Sequence, residues 1–434
     1  MIVLYNLLQI IGLLLCLPCL ALIVLLVPKY RGQTWRRLGF GLADQVKALP
    51  TGRPRIWVHG LSLGEVNSAR ALVRGLREAY PKAVLIFSVT TASGRRQAEA
   101  VIAPDVDLII DFPLDLYWSV NRFVTLLAPD LFVLVETDLW PNFLAVLRRR
   151  KVAAVLVNGR ISAHSLANYR RFPKFFAGLF NSFTSLAMQT DEEVANLAAL
   201  GVAPEKLLTL GNLKYDALFE KSSEAGEEGR FAGMLPLLSG RTVWVAGSTH
   251  PGEEEVVLQT YSEIRTQFPE IYLILAPRDP GRVGEIGRLA EGLGLRAVLR
   301  SRVGAEGGDL LLLDTMGELA ALYSLGSFAF VGGSLVPERG HNPLEPVLFG
   351  IPVMFGPHME DFAEIVGELL AVGAAEQVGD WREMVFLVAG WLADPGLRGA
   401  IGRSGAGLVE SRRGVILDRH LKLLHQVLHD RGLA

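Results

Sequence analysis

The carboxylate Glu65 closes the run His59-Gly60-Leu61-Ser62-Leu63-Gly64-Glu65, which lies between a β-rich stretch and a helical one. Turns of this kind border the crevice in which open parallel sheets bind ligands. A carboxylate there can take a proton from an acceptor hydroxyl. The helix N-terminus favours its ionised form, which keeps the base available but weakens it. Two other readings share these residues. Ser62 and Glu65 have the spacing of a capping box, in which each side chain satisfies the other's backbone amide. Gly60 to Gly64 also has the GxSxG form of a nucleophile elbow, with Ser62 as the nucleophile. Hydrolases of that fold place several strands before the elbow, whereas here it follows the first strand of the body.

Further turns repeat the pattern. Ser93-Gly94 is either a helix cap or an anion-receiving turn, with Arg95 and Arg96 adding charge suited to phosphates. Glu136 and Asp138 flank a strand end before Trp140-Pro141, as helix-start electrostatics or as a substrate contact. Arg160, after Asn158-Gly159, suits a carboxylate or phosphate. In the second half, Gly247-Ser248-Thr249-His250-Pro251-Gly252-Glu253 offers two hydroxyls and an imidazole beside backbone amides expected to be free, or is an ordinary N-cap with acids in the first turn. Gly332-Gly333-Ser334 lets a ligand approach the backbone closely. In Gly340-His341-Asn342-Pro343-Leu344-Glu345-Pro346, Asn342 can cap and Pro343 can take the first helical position, while Glu345 reaches a ribose or sugar hydroxyl. Helix formation explains those three residues but not His341.

The chain contains neither a P-loop nor an HExxH. The DxD-type pair Asp105-Val106-Asp107 precedes its strand, so it falls at the wrong end of the sheet to hold a divalent metal against a sugar diphosphate. No metal and no cofactor are expected, and phosphate is expected to meet helix dipoles and basic side chains. A net charge of −2 gives no nucleic-acid footprint. Both cysteines, Cys16 and Cys19, lie in the apolar N-terminal segment, which leaves the body without thiols, as suits a reducing compartment. The apolar run Ile10 to Val27 is long enough to span a bilayer. Basic residues follow it at Lys29, Arg31, Arg36 and Arg37 and none precedes it, so the positive-inside rule puts the body in the cytoplasm. A cleaved signal peptide is the competing reading, but its basic start is missing.

These turns need elements to hold them. From Ile56, β-rich runs alternate with helical ones (Ile56 to His59, Val84 to Thr90, Leu108 to Asp111, Phe132 to Glu136, Val152 to Asn158, Leu207 to Gly211). The second series is Thr242 to Gly247, Ile271 to Ala276, Leu310 to Asp314, Ser327 to Gly332 and Ile351 to Gly356. The pattern predicts α/β architecture, two Rossmann-like halves with parallel sheets. The expected boundaries are an anchor at 1–28, an N-terminal domain at 29–216, a Glu-, Gly- and Ser-rich linker at 217–240, a C-terminal domain at 241–400, and helices at 401–434 that close the second half or reach back to the first.

The order of the turns resembles the Kdo (3-deoxy-D-manno-octulosonic acid) transferases, inverting glycosyltransferases of the GT-B fold. The matching runs are SLGE (from Ser62), ETDLWPN (from Glu136), NGRIS (from Asn158), GNLKYD (from Gly211), GSTHPGE (from Gly247), DTMGEL (from Asp314), VGGS (from Val331) and GHNPLEP (from Gly340). The resemblance implies two domains facing a central cleft, and transfer of Kdo from CMP-Kdo to a hydroxyl of a lipid A precursor (lipid IVA) at the cytoplasmic face of the inner membrane. It makes Glu65 the base. Ser62, Gly64, Ser93, Arg95, Glu136, Asp138 and Arg160 fall on the acceptor side. Ser248, Thr249, His250, Gly333, Ser334, His341 and Asn342 fall on the donor side. There the hydroxyls, Asn342 and helix amides would steady the departing phosphate. Glu345 would meet ribose, and Arg278, Arg160 and Lys214 the Kdo carboxylate. Two departures stand out: Asp279 replaces the histidine of a PRHP run, and Arg339 replaces the first of two glycines before HNPLEP. A nucleotide-sugar epimerase of the same fold would share the donor turns without needing an anchor, and a non-catalytic membrane scaffold would need neither Glu65 nor Glu345.

Overall fold

A computed structural model describes residues 2–26, 28–217, 231–303 and 307–433. The chain forms two compact units, one of Met1–Ala217 with Gly414–Ala434 and the other of Leu218–Arg413. The chain thus returns to the first unit at Gly414. Most of the expected linker, residues 218–230, lies outside the described residues.

The first unit is built on strands β1 (Arg55–His59), β2 (Val84–Val89), β3 (Leu108–Asp111), β4 (Leu131–Val135), β5 (Ala153–Gly159), β6 (Ser185–Met188) and β7 (Leu207–Thr209). They lie in the order β3-β2-β1-β4-β5-β6-β7, all parallel. Central strands read as unbroken apolar runs because helices cover both faces. Ile56, Trp57 and Val58 on β1 and the whole of β4 are buried. Trp57 anchors an aromatic cluster with Phe112, Phe123, Phe132 and Phe143, and its indole N–H donates to Ser88 Oγ at 2.8 Å.

Helix Leu63–Ala79 follows β1 and buries Val66, Ala69, Leu72, Val73 and Leu76, spaced at the helical period. The C-terminal helix Val415–His429 packs against it. A Cβ on Gly75 would come within 2.8 Å of the Leu421 side chain, so any larger residue there would make that side chain shift. Asp216 clamps the start of the C-terminal helix, accepting the backbone N–H groups of Gly414 and Leu417 at 2.7 Å each.

The N-terminal helix Ile2–Leu26 presents two kinds of surface. Tyr5 donates to Asp115 Oδ2 at 3.0 Å, Gln9 to the Asp115 carbonyl at 3.0 Å, and Asn6 to Asn142 Oδ1 at 2.8 Å. Leu8, Leu14 and Leu15 are exposed. Among the described residues no single helix is long and apolar enough to cross a membrane, the apolar stretch there running Tyr5–Cys16.

The second unit repeats the plan with β8 (Thr242–Thr249), β9 (Ile271–Pro277), β10 (Ala297–Leu299), β11 (Leu310–Leu312), β12 (Phe328–Val331), β13 (Val353–Phe355) and β14 (Ala375–Gln377). Their order is β10-β11-β9-β8-β12-β13-β14, again parallel. In each sheet the chain leaves its first strand on one side and later resumes on the other, so β1/β4 and β8/β12 are topological switch points. Ligands of such sheets bind at the carboxyl ends of these strands.

Candidate functional site

Glu65 lies in the first turn of the helix that follows β1, and Glu136 and Asp138 follow β4 across the first switch point. Helix Leu63–Ala79 starts after Ser62, whose side chain makes no capping hydrogen bond. The Glu65 carboxylate accepts instead from the Leu61 amide and from the Ser62 hydroxyl, the latter at 3.3 Å. The reciprocal capping box therefore does not form. Burial, with the neighbouring charges of Glu136 and Asp138, pushes the Glu65 carboxyl up to about 8. Two hydrogen bonds to the ionised form act against that rise without cancelling it. Burial also raises Asp138, which the nearby Arg37 partly offsets. Glu136 holds a left-handed φ of 61°, unusual for a residue with a side chain.

His59, at the end of β1, is completely buried and stacks on Phe112 with ring centroids 3.9 Å apart. Its Nδ1 lies 2.9 Å from the Ser88 carbonyl and Oγ, and burial pushes it down to about 3. It is therefore a neutral core residue beneath the acidic edge.

The remaining first-unit expectations divide. Thr91, not Ser93, caps helix Ala92–Val101, accepting from Gly94 N at 3.0 Å. Arg95 is paired with Glu99 at 2.8 Å and with Asp111 at 3.3 Å, and Arg36 reaches the same Asp111. Its guanidinium is thus held by protein carboxylates. Gly64 is exposed in the first turn. Arg160 donates its backbone N–H to Thr137 Oγ1 at 3.1 Å, which ties the turn after β5 to that carrying Glu136 and Asp138. Lys214 lies in the first unit, in a helical turn that follows a loop ordered by buried amides. Asn158 accepts from Leu213 N at 2.9 Å, and Asn212 donates to Gln189 at 3.1 Å.

In the second unit the organising residue is one that the sequence offered only as a first-turn acid. Glu253 is completely buried. Its Oε2 accepts from Gly333 N at 2.7 Å and His250 N at 2.9 Å, and its Oε1 from Ser334 N and Leu335 N, both at 2.9 Å. The amides expected to be free for phosphate at these two turns are thus filled by the protein's own carboxylate. Ser334 is also completely buried, its hydroxyl donating to the Val331 carbonyl at 2.6 Å and accepting from Gly356 N at 2.8 Å. Thr249 is buried too. Ser334 is thus a strut rather than an open ligand, and strand-end packing covers Thr249.

What this edge leaves for a ligand is cationic and imidazole. Ser248 holds a left-handed φ of 57° at the end of β8. Arg278 is exposed after β9, its backbone N–H bonded to the Thr249 carbonyl at 2.9 Å. His250 and His341 meet at 2.9 Å between their Nε2 atoms. Burial, Arg278 and His250 together push His341 down to about 4. Gly333 is left-handed at φ 68°, and a Cβ there would lie 3.1 Å from the His341 ring, so the glycine pair makes room for an imidazole. The helix expected from Pro343 is only the four residues Leu344–Val347, too short for an appreciable dipole. Asn342 Oδ1 accepts from Leu344 N at 3.1 Å, making a turn rather than a long-helix cap. Glu345 is half-buried within that short helix.

Both departures have local explanations. Asp279 accepts from Gly281 N at 2.9 Å and so caps the short turn Pro280–Arg282. Arg339 holds φ 68°, a conformation that glycine adopts freely, and its guanidinium grips Asp361 at 2.7 Å. Among the described residues no cluster of three or more His, Cys, Asp or Glu could hold a metal ion.

A sequence profile described as 3-deoxy-D-manno-octulosonic-acid transferase (kdotransferase) matches residues 33–217. The chain is 33% identical to the 3-deoxy-D-manno-octulosonic acid transferase of Haemophilus influenzae, covering 96% of this chain and 97% of that one. It is 31% identical to the protein of the same description from Bordetella pertussis, covering 86% and 88%. Among solved structures, UDP-GlcNAc 2-epimerase from Neisseria meningitidis bound to UDP-GlcNAc superimposes with a TM-score of 0.62 over 86% of this chain and all of that one. At 13% identity that likeness concerns the fold alone.

Proposed function

The chain belongs to the 3-deoxy-D-manno-octulosonic acid (Kdo) transferase family and is a glycosyltransferase, and from that premise we infer that it moves Kdo from CMP-Kdo to a hydroxyl of a lipid A precursor, lipid IVA, with inversion. The carrying observation is the Glu65 carboxyl, raised to about 8 at a switch point beside Glu136 and Asp138. A general base works best with a proton affinity close to the operating pH. Glu65 takes the hydroxyl proton as the acceptor oxygen attacks the anomeric carbon, and CMP leaves from the opposite side. The first unit takes the acceptor and the second the nucleotide, as in GT-B enzymes. Arg278 and the imidazoles of the second unit suit the negative charge that grows on the departing phosphate.

The apolar run Ile10 to Val27 serves in this reading as a single-pass anchor, with the catalytic units on the cytoplasmic side of the inner membrane. Its apolar length and the basic residues after it support this assignment. The exposure of Leu8, Leu14 and Leu15 suits contact with lipid.

Purified full-length protein incubated with CMP-Kdo and lipid IVA is expected to release one CMP for each Kdo added, with the anomeric configuration of the product opposite to that of the donor. Absence of any Kdo-bearing product in mass spectra would sink the assignment. Retention of configuration would sink the direct-attack mechanism alone. Recovery of the protein in the soluble fraction after cell breakage would count against the anchor.

A further inference from the structure

His250 follows β8 and His341 follows β12, the strands on either side of the second switch point. Their rings lie 14° from parallel with centroids 5.1 Å apart, and they meet Nε2 to Nε2 at 2.9 Å. This contact fixes a proton count. One Nε2 carries the hydrogen and the other a lone pair, so only one proton fits between the rings. A second would set two N–H groups head to head and force the rings apart.

Both partners are held from behind by Glu253, whose Oε2 accepts from His250 N and from Gly333 N, beside which the His341 ring lies. The charges facing the pair come from three directions. Arg278, after β9, lowers the proton affinity of His341, and Asp361, after β13, raises it. Asp361 is itself paired with Arg339, and the Glu253 charge is spread over four backbone amides. With His341 held near 4, that ring is uncharged at neutral pH.

We propose that the His250–His341 pair is a one-proton receptor for the donor phosphate, parting to present two N–H groups to phosphate oxygens as it takes up a single proton. The proton comes from solvent and binds the Nε2 that was the acceptor in the pair. That ring becomes an imidazolium, its partner keeps the proton it had, and no other bond changes. The inference rests on the second unit being the nucleotide site, and it adds that donor affinity is coupled to pH there.

The test is calorimetric titration of the full-length protein with CMP at pH 8, in two buffers of different ionisation enthalpy. With a second phosphate pKa near 6, CMP is almost wholly a dianion at that pH and has little capacity to supply or accept a proton itself. Wild type is expected to take up close to one proton per CMP bound. Its affinity should fall by up to about tenfold per pH unit between pH 7 and pH 9, the limit for one linked proton. His341→Asn is expected to bind more weakly, with no proton uptake and a flat pH dependence. His250→Asn tests the pair from the other side should the first variant fail to fold, which thermal melting will reveal. Zero uptake by wild type, or equal uptake by wild type and a folded variant, would overturn the proposal while leaving the nucleotide site intact. Failure of wild type to bind CMP at all would overturn the nucleotide-site reading, and this inference with it.

Discussion

At the first switch point Glu65 shares its surroundings with Glu136 and Asp138, whereas at the second the buried carboxylate Glu253 is met by four backbone amides. The two glutamates follow equivalent strands, and each lies in the first turn of a helix. Their chemistry diverges because of what surrounds them. Glu65 has one backbone donor, one hydroxyl and two like charges nearby, so burial dominates and the group holds its proton near neutrality. Glu253 has a donor for each of four lone-pair directions, and it serves as a strut between two loops. A first-turn acid can thus hold its proton near neutrality or serve as a beam, and the number of amides aimed at it decides which.

The sharpest way to break this comparison is to remove each carboxylate. Glu65→Gln is expected to lower kcat by roughly 10²–10⁴-fold, the usual worth of a positioned base. Affinity for CMP should be unchanged, since the lesion lies in the other unit. Equal losses in CMP affinity and kcat would show that Glu65 is not the base. Glu253→Ala leaves four amides without their acceptor and is expected to cost on the order of 3–5 kcal/mol of unfolding free energy in urea titrations. A loss below about 1 kcal/mol would refute the strut assignment.

The pH dependence separates the two edges further. Activity measured as kcat/KM should rise with pH and level off above about 8, as Glu65 loses its proton. Glu136→Gln removes a like charge and should move that limb to lower pH; an unmoved limb would mean that Glu136 does not bear on the base. Stability runs the other way. The folded value of Glu65 lies above its unfolded one, so the folded state binds more protons between the ordinary carboxylate range and about 8. The contribution of this group is therefore present at low pH and lost as pH rises through about 8. His59, His341 and His420 are depressed to about 3, 4 and 4, so their neutral burial costs stability as pH falls below the ordinary histidine value of about 6.5. Thermal melting across pH 4 to 9 checks both signs.

The smallest expected effect lies at Arg339. Relief of the left-handed backbone in Arg339→Gly opposes the loss of a half-exposed ion pair and the greater freedom of glycine in the unfolded chain. The variant should stay within about 1 kcal/mol of wild type. Arg339→Val, which keeps the strain and loses the pair, should be the less stable of the two in parallel melts.

Much of the fold was legible in sequence. Long apolar strands such as β4, β5 and β9 announced themselves because a parallel sheet covered on both faces leaves no alternation to read. The strands that escaped were β6, β10 and β14, of three or four residues each; β7, β11 and β13 are as short but lie in longer apolar runs, such as Leu310 to Leu313, that made them legible. The same divide runs through the sites. Glu65, Glu136, His250 and His341 stood out at strand-to-helix turns, where ligands gather. Asp216, although inside the GNLKYD run, gave no sign of clamping a helix some two hundred positions further along.

Sequence by itself determined the alternation of strands and helices, the family, and which turns carry titratable groups, because these are local patterns of residue type and spacing. Only the tertiary structure decided what each group has become, since a carboxylate's role depends on donors delivered by strands far away in the chain. It made Glu253 a beam by bringing Gly333, Ser334 and Leu335 to it, and it left Glu65 short of donors among like charges.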